Sequence, residues 1–159
     1  MKIGVISDTH IPNKRKNIPD IVFDLFQGVD IIIHAGDIAE MQVLKSLEEC
    51  APVRAVCGNV DPAVLQKELP LRLQMEMKGY KVAVTHGHSV RGHLMKKLSY
   101  IFPDADLIIF GHTHKPCEQM IKGQLHFNPG SATDRRMQKK HSVGIIELGE
   151  EISSRIIEF

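Results

Sequence analysis

The chain has 159 residues, 43% hydrophobic and 25% charged, which suits one globular domain spanning 1–159. Its 20 Lys and Arg oppose 19 Asp and Glu, so the net charge is +1. Such a balance gives no long-range pull on nucleic acid or an anionic membrane; stable nucleic-acid binding is not expected, and an anionic substrate must be held locally. No run approaches the ~18 apolar residues of a membrane span, and the opening MKIGVISDTH lacks the long apolar segment of a secretory signal. Cys50, Cys57 and Cys117 form no C-x-x-C pair, which argues against disulfides and thiolate zinc and suggests reduced core thiols in a cytoplasmic protein. With no Trp and only 5% aromatic residues, a base-stacking platform is not expected.

In chain order, Lys2 to Ser7 reads as a buried strand. Ile18, Ile21, Val22, Leu25 and Phe26 have helical spacing, with Pro19 in the first turn. Short β-branched runs at Asp30 to His34 and Val53 to Cys57 flank a helical segment around Glu40 to Glu49. This β-α-β-α-β order predicts parallel strands joined by crossover helices. Asp61 is expected to cap a helix beginning at Pro62. Leu71 to Met77 and Tyr80 to Thr85 alternate around Lys78-Gly79 as a hairpin, a helix follows from His93 to Tyr100, and Leu107 to Phe110 is a wholly apolar strand. Glu118 to Ile121, Gln124 to Phe127, Val143 to Leu148 and Ile152 to Glu158 complete the strands. The expected architecture is a layered α/β sandwich of two sheets with helices outside.

The apolar strands end on glycine or on side chains able to bind metal: Ser7-Asp8-Thr9-His10, His34-Ala35-Gly36-Asp37, Cys57-Gly58-Asn59, Thr85-His86-Gly87-His88 and Gly111-His112-Thr113-His114. Singly, each has a plain alternative, since an Asp after a strand is usually a turn or cap residue. Together they would be five coincidences, whereas the carboxyl ends of parallel strands naturally share one crevice. Asp, Asn and neutral His form an oxygen and nitrogen set suited to Mn, Fe, Zn, Co or Ni. Two carboxylates, one amide and several imidazoles, seven ligand candidates in all, exceed the needs of one tetrahedral ion and match two ions bridged by a carboxylate. Two dications, two carboxylates and a bridging hydroxide leave one positive charge, which suits in-line attack on a phosphodiester monoanion; a monoester dianion would call for an added Lys or Arg.

The ordered set D-x-H, G-D-x-x-E, G-N-x-D, H-G-H and G-H-x-H, from Asp8 to His114, resembles the calcineurin-like metallophosphoesterase superfamily. The later Asn128-Pro129-Gly130-Ser131 resembles its small single-domain YfcE-like phosphodiesterase branch. The resemblance implies a four-layer α-β-β-α fold with mixed sheets and two divalent ions, manganese first. One ion would be held by Asp8, His10, Asp37 and His114, the other by Asp37, Asn59, His86 and His112. It gives Asp37, Asn59 and His86 catalytic duties as well, and it places Asn128 and Ser131 at the substrate. Many superfamily members carry a proton-donating histidine after the G-N pair; here that position is Val60, which implies modest rates on alkyl leaving groups. The branch also contains the retromer scaffold subunit, so a protein-binding scaffold is the alternative, with a phosphomonoesterase as a third reading.

The remaining polar residues carry weaker expectations. His88 is a substrate contact that could exchange roles with His86, and His34 is a supporting or packing residue. His93, His126 and His141 read as surface or turn residues. Lys14, Arg15 and Lys16 read as a solvated loop with a lesser case for drawing in phosphate, a contact that Arg135 and Arg136 could extend. Cyclic nucleotides, nucleic-acid ends and small diesters all remain open as substrates, and a homo-oligomer is left open.

Overall fold

A computed structural model describes all residues, 1–159. The first sheet has the order β10 (Ile152–Glu158), β9 (Ser142–Leu148), β1 (Lys2–Ile6), β2 (Ile31–His34), β3 (Val53–Ala55). Here β1, β2 and β3 are parallel and β9 and β10 antiparallel. The second sheet runs β4 (Arg72–Met77), β5 (Tyr80–Thr85), β6 (Leu107–Phe110), β8 (Gln124–Asn128), β7 (Cys117–Ile121), with β5, β6 and β8 parallel between antiparallel edges.

Period-two alternation builds the layers. Ile3, Val5, Ile31, Ile33 and Ile146 of the first sheet face Val82, Val84, Leu107, Ile109, Leu125 and Phe127 of the second, forming the central core. Each such side chain contributes roughly 2 kcal/mol by leaving water. Phe127 spans the gap at Gly144, where a Cβ would lie 2.3 Å from the ring. The opposite parity of the first sheet, Ile6, Ile32 and Ala55, packs under α1 (Asp20–Leu25), α2 (Met41–Glu48) and α3 (Ala63–Glu68). On the second sheet, Ala83, Ile108 and Phe110 pack under α4 (Leu94–Ile101). The result is the expected α-β-β-α sandwich. No helix is long and apolar enough to cross a membrane.

The helices are shorter than their periodicity suggests. Ile18 packs in the core but precedes α1, and Pro19 is the N-cap of α1 rather than a residue of its first turn. The strand register explains the site. Ile6 pairs with His34, His34 with Ala55, and Thr85 with Phe110, so the parallel strands end level and deliver their tips to one edge.

Candidate metal centre

Four of the ligand candidates, Asp8, Asp37, His86 and His114, are held through one atom of the side chain, which leaves another donor atom free. Asp8 Oδ2 accepts from Ser7 Oγ at 2.6 Å and from the His112 backbone N–H at 3.0 Å, while Oδ1 is buried without a hydrogen-bond partner. Asp37 Oδ1 accepts from the Val60 N–H at 3.1 Å, and Oδ2 is likewise unpartnered. The His86 Nδ1–H donates to Ala35 O at 2.8 Å, which leaves the Nε2 lone pair facing inward. The His114 Nδ1–H donates to Asp134 O, freeing its Nε2 in the same way. Carbonyl partners of this kind fix the tautomer and aim the ring of a metal-binding histidine.

The free atoms converge. His114 Nε2 lies 3.2 Å from Asp8 Oδ1 and 3.2 Å from His10 Nε2; His10 Nε2 is 3.5 Å from Asp37 Oδ2. Donor atoms of Asp8, His10, Asp37 and His114 all fall within 4.8 Å of one another, and all four residues are buried. His86 Nε2 lies 3.2 Å from the same Asp37 Oδ2 and 3.9 Å from Asp8 Oδ1, and the His86 and His112 rings are 5.2 Å apart. Asn59 follows Gly58 on the rim with its side chain exposed. Buried lone pairs pointed at each other are costly unless a cation lies between them, so the donor set fits divalent metal.

Backbone strain and close approach hold this arrangement. Asp8, His10, Asp37, His112 and His114 all have positive φ, from 47° to 67°, a left-handed conformation costing about 1–2 kcal/mol for each such residue. Gly58 and Gly111 serve contact rather than flexibility: a Cβ would lie 2.0 Å from Asp37 Oδ1 at the first and 2.0 Å from Ser7 Oγ at the second.

Burial opposes ionisation of Asp37, but His86 and the Val60 N–H outweigh it and bring the pKa down to about 2; Asp8 is also lowered, against burial, by His114, His86 and Ser7. Burial lowers His10, His88 and His112, leaving their lone pairs available. Burial likewise disfavours charge on His86 and His114, yet Asp37 and Asp8 overcome it and raise both. The facing carboxylates thus raise the proton affinity of these two imidazoles, and a metal ion held there would compete with a proton for the same nitrogens.

Several expectations need correction. Asn128 is fully buried: its Nδ2 donates to Gly111 O at 2.9 Å and Thr113 Oγ1 at 3.0 Å, and its Oδ1 accepts from the Gly130 N–H. Ser131 is 1% exposed and donates to Asp8 O at 2.7 Å while accepting from the Asp134 N–H. Neither side chain faces solvent where a substrate would lie; they brace the His112–His114 and Asp8 loops. Asp61 does not cap α3. Its Oδ1 accepts from the Ile38 and Ala39 N–H groups and its Oδ2 from the Gly58 N–H, each at 2.7 Å, joining the loops that carry Asp37 and Asn59. His126 is fully buried beneath α4, bonded to Ser99 Oγ at 3.0 Å, rather than at the surface.

His34 supports the site. Its Nδ1 accepts from the Gly36 N–H, so Nε2–H donates to Thr9 Oγ1 at 3.1 Å, and that hydroxyl donates to Ile38 O. Burial pulls its pKa to about 4, keeping it neutral. His88 is half-buried at the rim, its ring 5.4 Å from that of His86. Thr133, Asp134 and Ser7 carry supporting bonds that their sequence context did not single out; only the Gly-N-x-D pattern marked Asp61 as more than a turn residue.

Residues 1–151 match the calcineurin-like phosphoesterase superfamily domain. A probable metallophosphoesterase of Methanothermobacter thermautotrophicus is 38% identical over 160 positions, covering 99% of this chain and 92% of its own. Phosphodiesterase YfcE of Escherichia coli is 27% identical over 170 positions, 92% and 88% of the two chains. Among solved structures, wild-type Vps29 of Entamoeba histolytica complexed with zinc superposes with a TM-score of 0.81 over 99% of each chain at 22% identity, a likeness of fold. With the superfamily domain spanning all but its last strand, the chain belongs to the calcineurin-like phosphoesterase superfamily.

Proposed function

We propose that the protein is a divalent-metal-dependent phosphodiesterase with two ions, manganese first, sharing Asp37. Asp8, His10 and His114 complete one ligand set; His86, His112 and Asn59 complete the other. The observation that carries this reading is the convergence of Asp8 Oδ1, Asp37 Oδ2 and His86 Nε2, buried and without hydrogen-bond partners, with His86 Nε2 3.2 Å from Asp37 Oδ2 and 3.9 Å from Asp8 Oδ1. When bound, such ions supply positive charge to phosphoryl oxygens and acidify water.

The chain's own residues hold and orient. The Val60 and His112 backbone N–H groups fix the two carboxylates, and the Ala35 and Asp134 carbonyls fix two imidazoles. Half-buried His88, kept neutral by burial, is placed at the rim to hydrogen-bond a substrate oxygen. The Asp8 and Asp37 carboxylates have only histidine as ionic neighbours, while Lys14 and Arg136 stop at Asp134; this favours a monoanionic diester over a dianionic monoester. Three free cysteines suit a reducing compartment, and we place the activity in the cytoplasm.

The test loads purified protein with manganese and compares bis-p-nitrophenyl phosphate with p-nitrophenyl phosphate. Diester turnover should dominate and should fall at least a hundredfold in Asp37→Asn, the scale of losing a metal-held electrostatic contact. No turnover with any of Mn, Ni, Co, Fe or Zn would refute the enzyme reading and leave a binding scaffold.

A further inference from the structure

Beside the donor cluster lie two loops whose charge is not balanced. Residues 11–17, IPNKRKN, carry Lys14, Arg15 and Lys16; residues 135–141, RRMQKKH, carry Arg135, Arg136, Lys139 and Lys140, and neither stretch contains an acid. These seven cations are all exposed, and they make up seven of the chain's 20. The near-zero net charge therefore conceals a strongly uneven distribution.

The fold brings the loops together and to the centre. Ser131 and Thr133, which precede the second loop, donate to the backbone oxygens of Asp8 and Thr9. Arg15 Nη2 lies 3.3 Å from His141 Nε2 across the two loops, and Arg135 Nη1 donates to Lys139 O at 2.8 Å. Asp134 is the bridge: one carboxylate oxygen lies 3.9 Å from His114 Nδ1, 3.8 Å from Lys14 Nζ and 3.9 Å from Arg136 Nε. The cationic rim thus begins one carboxylate away from a ligand imidazole; of its seven cations only Lys14 and Arg136 form ion pairs, both with Asp134, while Lys16 shares a cavity with Asp20, Glu40 and Glu49. Burial and the neighbouring Arg15 and Arg135 lower the proton affinity of His141, between the loops.

Building on the phosphodiesterase reading, we propose that this rim binds the phosphates flanking the scissile one, so that the substrate class is a single-stranded oligonucleotide end. The exposed cations suit a chain of phosphate charges rather than one anion. The rim consists of two loops without a helix to enter a duplex groove, and its residues include no Phe, Tyr or Trp, so recognition goes through the backbone and is indifferent to base sequence. Contact is local and transient, consistent with an overall charge of +1.

The test compares two manganese-supported substrates with the same leaving group: the p-nitrophenyl ester of thymidine 5′-phosphate, and pentathymidylate carrying that ester at its 5′ end. If about three phosphates are neutralised, kcat/KM for the pentamer should fall about 20-fold between 50 and 200 mM salt, while the mononucleotide ester shows a much shallower dependence. In Lys139→Glu/Lys140→Glu, and independently in Arg135→Glu, the ratio of the two kcat/KM values, pentamer over monomer, should fall about tenfold, mainly through KM. Because the ratio is read, a general loss of folding or metal cancels. Parallel salt slopes together with an unchanged ratio, or turnover of the monomer ester alone, would overturn the rim proposal and leave the phosphodiesterase reading standing. Failure of wild-type protein on both esters would instead refute that reading.

Discussion

Replacing Asp61 by alanine strands three N–H groups at once, those of Ile38, Ala39 and Gly58, which now reach its carboxylate at 2.7 Å. Two of these bonds are buried and one is partly so; with a charged acceptor each contributes about 1.5–3 kcal/mol. Taking the low end for all three gives about 4.5 kcal/mol, roughly two-thousandfold in the folding constant. Asp61→Asn is milder. Its amide oxygen can serve Ile38 and Ala39 while its NH2 meets the Gly58 N–H, so the loss should be about 2 kcal/mol. Urea unfolding of metal-stripped protein measures both, since bound metal would mask the loss by linkage. Because Asp61 joins the loops bearing Asp37 and Asn59, manganese affinity should fall in the same order. A loss under about 1 kcal/mol in Asp61→Ala, with unchanged metal affinity, would refute the bracing role.

Asn128→Ala removes partners from Gly111 O, Thr113 Oγ1 and the Gly130 N–H; it should destabilise by about 3 kcal/mol and lower kcat more than it raises KM for the diester, whereas a substrate contact would chiefly raise KM. His34 has a pKa of about 4 in the fold against 6.5 when exposed, so the unfolded chain takes up its proton first as pH falls. The stability His34 contributes should be complete above pH 6.5 and decline by about 3 kcal/mol towards pH 4, and His34→Gln should flatten that part of the urea-unfolding profile. Val60 is 42% exposed on the rim, so Val60→His can be accommodated; it should raise turnover of a diester with an alkyl leaving group roughly 100-fold and change p-nitrophenyl release little.

The residues that converge at the candidate centre are legible because burial and chemistry meet abruptly at strand ends. Ile6 to Asp8, Ile33 to Asp37 and Phe110 to His112 pass from core to ligand within a few residues, and parallel register carries them to one edge. Alternation likewise separated the inner face, Ile3 and Val5, from the outer, Ile6. What supports those ligands was not legible. Asn128, Ser131 and Asp61 act through hydrogen bonds to backbone far away in the chain, and Asp134 through its own carbonyl, which accepts from His114; none of these bonds shows in the local sequence. His126 was misplaced because a lone histidine in a short strand shows neither its face nor the Ser99 hydroxyl that satisfies it. Net charge misled in a similar way, since it records how many cations there are but not that seven gather on two neighbouring loops.

Counting the manganese ions taken up by metal-stripped protein, by titration followed by elemental analysis, tests the site most directly. Two ions per chain are expected, fewer in Asp37→Asn because in the proposed centre that carboxylate would serve both positions, with diester turnover following occupancy. A chain that takes up no manganese, or one whose count and turnover are the same in Asp37→Asn, would contradict the shared metal centre.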